Sequence, residues 1–321
     1  MEMADSTDAL IIGGGPAGLT AALTLARQQQ TSIIFDAGTY RNDTADYMHL
    51  IPGFDHIKPS EFRGKAIENI LSNYDHIQFK RTAVSIVNKK VSGEGFTLRD
   101  EKGNVWNGKK LILCSGVTDI YPNIDGYAEC WGKGIFHCLF CKGYEERGCI
   151  SAGVLAIDGL SKSPWALHVA RQVSALTQTV TIYTNGSEDL AKEVSADFGA
   201  SVVMKVDSRV IKRLSKQAEK ASVLVEFEDG SSVLEGFIAH TPATKLHGQF
   251  AEQLGLELTP SGDIKAGPPF YQTTEKGVFV AGDNCGILKN VPHAIFSGSL
   301  AGMGVSTQIE AENQGQKPLF V

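Results

Sequence analysis

An α/β fold of two doubly wound domains is predicted by three stretches of this chain. Gly13-Gly-Gly15-Pro-Ala-Gly18 sits between an apolar run at 9–12 and an apolar-periodic stretch at 19–29. The same strand-then-helix order returns in mid-chain at 153–157 and 163–175. Near the C-terminus, Thr274-Glu-Lys-Gly-Val-Phe-Val-Ala-Gly-Asp283 reads as a strand that leads into a glycine- and alanine-rich helix from Pro292. Short buried strands alternating with helices are the pattern of a parallel sheet covered on both faces.

Each part of the first stretch has a mechanical reason. Residues 9–12 read as a buried strand, 19–29 as a helix, and 31–35 as a second strand that ends in Asp36. Gly13 permits the tight turn, Gly15 lets the backbone approach a pyrophosphate, and Gly18 lets the helix pack closely on the strand. Pro16 and Ala17 complete the loop, and the helix start offers free N–H groups and a positive dipole end to phosphates. Asp36 is placed to accept hydrogen bonds from ribose hydroxyls. Strand, loop, helix, strand and terminal acid in this order are far more specific than the glycines alone. They point to a dinucleotide site.

Composition narrows the function class. At 321 residues the chain supports two domains, and 42% hydrophobic with 21% charged residues is ordinary for a soluble enzyme. A net charge of −6 argues against a nucleic-acid partner, which favours a basic face. No apolar run approaches the ~20 residues needed to cross a bilayer, so no membrane partner is expected. Residues 1–8 lack the pattern of a cleavable signal, which leaves a cytoplasmic, reducing setting as the expectation. There, a close cysteine pair is expected to serve redox or metal chemistry rather than a structural bridge.

Cys138-Leu-Phe-Cys141 is that pair. The spacing predicts a helix over 137–143 with the cysteines at its start, where unpaired N–H groups stabilise a thiolate. A two-residue spacer also lets the sulfurs close into a small disulfide ring, ready for exchange with a substrate or re-oxidation by a cofactor. A zinc half-site, a structural disulfide and a pair of inert thiols are the competing readings; zinc lacks its further ligands. Cys114, Cys130, Cys149 and Cys285 read as small buried residues.

GGGPAG, the mid-chain CxxC and VFVAGD together resemble the low-molecular-weight thioredoxin reductase group over nearly the whole chain. Gly282-Asp283 resembles the second FAD motif of two-dinucleotide-fold flavoproteins, and Leu111-Ile-Leu-Cys-Ser-Gly116 resembles the short segment before the crossover to the middle domain. Phe35-Asp-Ala-Gly-Thr-Tyr-Arg-Asn42, Met48-His49, Glu129-Cys-Trp and Gly143-Tyr-Glu-Glu-Arg-Gly148 are similar to the fungal gliotoxin-type dithiol oxidases. Those enzymes close the disulfide of epidithiodiketopiperazine toxins. The resemblance implies FAD at the first site, held by Gly13, Gly15, Pro16, Ala17, Gly18, Asp36, Arg41, Asn42, Gly116, Gly282 and Asp283. It also implies a homodimer, dioxygen as acceptor, and Cys141 as the flavin-proximal thiol.

One departure from the group concerns proton transfer. Its members carry an Asp after the CxxC as an acid/base, whereas this chain has Lys142, which cannot accept a proton as an ammonium. His293 at the start of the C-terminal helix is the substitute expected here, because an unperturbed imidazole titrates near neutrality. An ordinary helix-cap or surface histidine is the competing reading. His137, beside Cys138, is placed to tune the dithiol.

The second glycine loop fails. Between the mid-chain strand and helix stands Asp158-Gly-Leu-Ser-Lys-Ser-Pro-Trp-Ala166, with Ser161 and Ser163 where a nicotinamide site carries glycines. A Cβ at either position is expected to obstruct a pyrophosphate. The next strand, 180–183, ends in Thr184-Asn-Gly-Ser-Glu-Asp189, with neither arginines for a 2′-phosphate nor an acid at its tip. The architecture expected is therefore two Rossmann-like dinucleotide-binding domains, the second degenerate. The FAD-binding domain takes 1–117 and 244–321, and the degenerate domain with the CxxC takes 118–243, including a hairpin over 223–238. The function expected is an FAD-dependent oxidase of a small-molecule dithiol. Its rivals are an NADPH-dependent disulfide reductase and a flavin-bound redox sensor without catalysis.

Overall fold

A computed structural model describes residues 6–91 and 94–319. The chain divides into two units: one runs to Asp43, resumes over Ile51–Thr118 and again from Lys245, and the other comprises Thr44–Leu50 and Asp119–Thr244. The crossings lie one residue from the expected boundaries. Thr44–Leu50, expected with the first unit, groups with the second. Thr44 supplies the reason, since a Cβ on Gly132 (φ +73°) would come within 2.6 Å of its hydroxyl.

The first unit opens with β1 (Thr7–Ile12), α1 (Pro16–Ala26), β2 (Ser32–Asp36), α2 (Pro59–Asn73) and β3 (Ile77–Arg81). β4 (Val84–Lys89), β5 (Phe96–Asp100) and β6 (Val105–Leu113) follow as an antiparallel excursion that returns to the sheet. β7 (Val117–Ile120) carries the chain out. α1 begins three residues earlier than the apolar periodicity suggests. Pro16 explains this, because its fixed φ suits a first helical turn and its missing N–H costs nothing there.

The second unit holds α3 (Tyr127–Cys130), β8 (Ile135–Phe136), β9 (Cys149–Leu155), α4 (Ser163–Ser174), β10 (Thr177–Tyr183), α5 (Glu188–Ala196) and β11 (Met204–Asp207). β12 (Ile211–Lys216), β13 (Val223–Phe227), β14 (Ser232–Glu235) and β15 (Ile238–Ala239) complete it. Its main sheet has the order β11-β10-β9-β15-β8 and is parallel throughout. The hairpin expected over 223–238 is shorter than predicted. β14 pairs with β13, but the chain then turns at Gly236 and β15 joins the parallel sheet. Gly236 permits this turn because its backbone passes so close to Cys149 that a Cβ would lie 2.7 Å from that residue's own.

β16 (Ala243–Leu246) pairs with β7 as the chain returns, and α6 (Phe250–Gln253), β17 (Ala266–Gly267), β18 (Gln272–Thr273), β19 (Val278–Val280) and α7 (Val291–Asn313) finish the first unit. Its parallel strands run in the order β19-β6-β1-β2-β3, in register at Ile12, Phe35 and Leu113. α1 packs between this sheet and α7. A Cβ on Gly18 would stand 1.9 Å from the carbonyl oxygen of Gly13, and one on Gly298 of α7 would stand 2.3 Å from that of Ala17. No helix among the described residues is long and apolar enough to cross a membrane.

The Gly298 contact is with main chain, which cannot swing aside. Gly298→Ala is expected to destabilise the protein by about 1–3 kcal/mol, the usual cost of overpacking. Gly64→Ala, on the exposed side of α2 with open space around it, is expected to be neutral or stabilising by up to ~1 kcal/mol. Thermal melts of the two variants check this; a Gly298→Ala protein as stable as the parent contradicts the packing.

Candidate functional site

In the first unit, β1, α1 and β19 converge on the glycine loop. Gly13 takes φ +118° and donates its N–H to the Phe35 carbonyl at 2.8 Å. A side chain there would meet the Cys114 carbonyl oxygen at 2.2 Å. Gly15 caps α1 without any side-chain hydrogen bond, and its Cβ position faces open space. The helix start and its first N–H groups are thus left to an anion. Pro16 and Ala17 form the first turn, and Gly282 (φ +86°) would place a Cβ 3.1 Å from that of Ala17. Gly116, at φ +71°, closes the opposite side by accepting the N–H of His247 at 3.0 Å.

Asp36 is buried directly under Gly14, whose Cβ would lie 2.5 Å from the carboxyl carbon. Its oxygens accept the Gly38 N–H at 3.0 Å and the Tyr40 hydroxyl at 2.5 Å, and pair with Arg81. The acid expected to accept from ribose hydroxyls also serves three protein donors. Register dictates the ion pair, because Asp36 and Arg81 are partners across β2 and β3. Burial and the neighbouring carboxylate together hold the Tyr40 hydroxyl above its ordinary value. Arg81 was not legible from the motif; only the strand pairing reveals it.

Arg41 and Asp283 meet at 3.0 Å, joining the two cofactor motifs through an ion pair. Asn42 accepts from Arg63 at 3.2 Å, and Arg63, nearly buried, also binds Asp43 and lies over the Tyr40 ring at 3.6 Å. Gly282 donates to Ser297 Oγ at 2.9 Å, and Lys289 Nζ ties the Asp283 carbonyl to the Asp263 carboxylate at 2.6 Å each. Asn284 is wholly buried and donates to the Leu113 carbonyl, while its Oδ1 has no protein partner among the described residues. His293 sits in the first turn of α7, its N–H capped by Asn290 at 2.9 Å and its buried Nδ1 unpartnered among the described residues. Burial lowers its pKa below the ordinary imidazole value, Asp283 opposing and Lys289 adding to the effect. The open side of Gly15 and these two orphaned polar atoms fit a large polar cofactor such as FAD.

In the second unit, Cys138 and Cys141 form a disulfide with S–S 2.02 Å and Cα–Cα 5.2 Å. That bond removes the zinc half-site reading for this state. The expected helix over 137–143 is a correction: the pair lies on one hydrogen-bonded turn, with Cys141 N and Lys142 N both reaching the Cys138 carbonyl. Gly143, packed on the Leu139 carbonyl, interrupts it before a 3-10 turn at Tyr144–Glu146. The Cys141 N–H that reaches the Cys138 carbonyl also donates to Cys138 Sγ at 3.1 Å.

The residues around the pair divide. Leu139 and Trp131 are buried, whereas Phe140 is 68% exposed. His137 stacks on Trp131 at 5.9 Å between centroids. Lys142 donates to the Gly132 carbonyl at 3.0 Å and lies 3.7 Å from Asp46. His49, quoted above only for its likeness, places Nδ1 2.8 Å from the Cys141 carbonyl and Nε2 3.3 Å from Glu145. Desolvation raises the thiol pKa of Cys114, Cys130, Cys149 and Cys285, the last to about 12, so none of them is a ready nucleophile.

The loop after β9 is filled by the protein itself. Gly159 N donates to the Thr241 carbonyl at 3.1 Å, while Leu160 N and Ser161 N bond back to Ile157 and Asp158. Ser161 Oγ returns to the Asp158 carbonyl at 2.7 Å. Ser163 corrects the expectation in detail: it is wholly buried and donates to Asp197 at 2.6 Å, so its Cβ points inward rather than across the loop mouth. What opposes an anion there is the Asp197 carboxylate held at the start of α4. Nearby, His240 is buried with Nδ1 2.7 Å from the Tyr127 hydroxyl and Nε2 3.6 Å from Asp158; burial pushes its pKa down to about 4. Beyond β10, Asn185 is spent on the Ile211 N–H at 2.8 Å, and Arg209 is held by Asp207 and the Phe227 ring.

Known proteins share this design. Residues 7–298 match the family described as pyridine nucleotide-disulphide oxidoreductase. The chain is 51% identical to the thioredoxin reductase tcpT of Claviceps purpurea, covering 100% of this chain and 99% of that protein. It is 42% identical to the thioredoxin reductase aclD of Aspergillus oryzae over 96% and 98% of the two chains. A solved oxidoreductase from Agrobacterium tumefaciens superposes with a TM-score of 0.83 at 30% identity, covering 95% of this chain and 99% of that one. The chain belongs to the pyridine nucleotide-disulphide oxidoreductases, as an FAD flavoprotein of their thioredoxin-reductase-like group.

Proposed function

We propose that this oxidoreductase is a dithiol oxidase that closes a disulfide within a small molecule of the epidithiodiketopiperazine type and passes the electrons to dioxygen. The filled nicotinamide loop carries the reading. Its N–H groups are bonded to protein carbonyls, and a carboxylate stands at the start of α4, where a pyrophosphate needs free donors and a positive helix end. Without a nicotinamide, electrons must enter through Cys138–Cys141. The name shared by the fungal relatives, thioredoxin reductase, favours the opposite direction, the reduction of a disulfide.

The steps balance as follows. A substrate thiolate attacks Cys138, forming a mixed disulfide and releasing Cys141 as a thiolate. The second substrate thiol, once deprotonated, attacks the substrate sulfur of that mixed disulfide, closing the product and releasing Cys138. Two protons and two electrons have then left the substrate. FAD, when bound, supplies the two-electron acceptor for the dithiol and the reaction with dioxygen, which yields hydrogen peroxide. His293 is proposed as a proton acceptor, since its lowered pKa keeps it neutral at pH 7.

Oxygen uptake with a panel of small dithiols, including reduced epidithiodiketopiperazines, is expected to be catalytic, with one peroxide per disulfide closed. Cys138→Ser or Cys141→Ser is expected to abolish it. Uptake that survives either change overturns the mechanism. The pH profile tests His293: because burial disfavours its imidazolium, kcat/KM is expected to hold as pH falls through 6.5 and drop only below it. His293→Asn is expected to cost about 100-fold and remove that acid limb; an unchanged profile removes His293 from the reaction.

A further inference from the structure

The dithiol turn carries one ionisable pair that the steps above leave unused. His49 and Glu145 both belong to the second unit. His49 Nδ1 stands 2.8 Å from the carbonyl oxygen of Cys141 itself, and Nε2 stands 3.3 Å from Glu145 Oε1. Glu145 Oε2 in turn accepts the Gly143 N–H at 3.1 Å. A carbonyl oxygen only accepts, so Nδ1 carries the hydrogen of its bond. Nε2 then faces a carboxylate, which when ionised also only accepts. That contact is attractive only when a second proton lies between them.

We propose that His49, held by Glu145, is a positioning residue that keeps a positive charge at Cys141 and so stabilises the thiolate released when substrate opens the disulfide. Lys142 is the obvious rival for this task. Its ammonium, however, is spent on the Gly132 carbonyl, lies 3.7 Å from Asp46 and rests over the Phe136 ring at 5.0 Å. Glu145 pairs with His49, whereas Lys142 lies beside Asp46. An opposite charge beside a thiol favours the thiolate and makes its disulfide easier to reduce. The geometry accounts for the grouping of Thr44–Leu50 with the second unit: the segment delivers the imidazole to the turn.

The inference rests on the oxidase reading only for the direction of electron flow, and its test uses neither dioxygen nor a nicotinamide. The FAD-loaded protein is equilibrated anaerobically in dithiothreitol redox buffers, and the Cys138–Cys141 thiols are alkylated and counted by mass. His49→Asn keeps an N–H near the Nδ1 position, and so the bond to Cys141, but removes the charge. Glu145→Gln keeps an acceptor for Gly143 N–H and releases the imidazole. Each is expected to lower the equilibrium constant for reducing the disulfide about tenfold, close to 30 mV for two electrons. Each is also expected to move the thiolate absorbance of the reduced protein to higher pH. A clamp without electrostatic effect predicts that His49→Asn matches the parent. A change below twofold in whichever variant folds overturns the proposal, whatever the oxygen-uptake experiments give.

Discussion

Main chain meets main chain around the start of α1. Gly13 lies against the Cys114 carbonyl, Gly18 against Gly13, and Gly298 against Ala17, each too close for a side chain. This approach fixes the loop between β1 and α1 and brings α7 alongside it. The ion pair of Arg41 with Asp283 and the seat of Gly282 on Ala17 follow from it. An open helix start and a buried acid beneath the loop are set in place by these main-chain contacts.

The second unit keeps the same sheet logic, but its loop after β9 is closed by its own main chain. Its strands are parallel and α4 follows β9 as a nucleotide-binding helix should. The loop has folded back on Thr241, and Tyr127, His240 and Asp158 occupy the carboxyl edge of the sheet with buried polar contacts. Backbone donors committed to protein carbonyls are not available to phosphate without breaking those bonds. The fold persists because its hydrophobic layers do not depend on the cofactor; Val154, Ile182 and Ala166 pack whatever the loop binds.

Features with short-range causes were legible in the sequence. The glycine loop, Asp36, Gly282-Asp283 and the Cys138–Cys141 pair each announce themselves within a few residues. Contacts made across long sequence gaps were not. Arg81 reaches Asp36 through strand register, and His49 reaches Cys141 through a segment expected in the other unit. Ser163 was expected to obstruct the loop mouth, but only the packing of α4 on α5 shows that its hydroxyl turns inward to Asp197. The helix expected at the dithiol failed because apolar spacing cannot foresee a break at Gly143.

The central claim is that electrons enter from a small dithiol and not from a nicotinamide. Anaerobic rapid mixing of the FAD-loaded protein, followed at the flavin absorbance, tests it most directly. A reduced epidithiodiketopiperazine is predicted to bleach the flavin within the turnover time, and NADPH or NADH is predicted to leave it oxidised. Prompt bleaching by either nicotinamide, with none by the dithiol, contradicts the account.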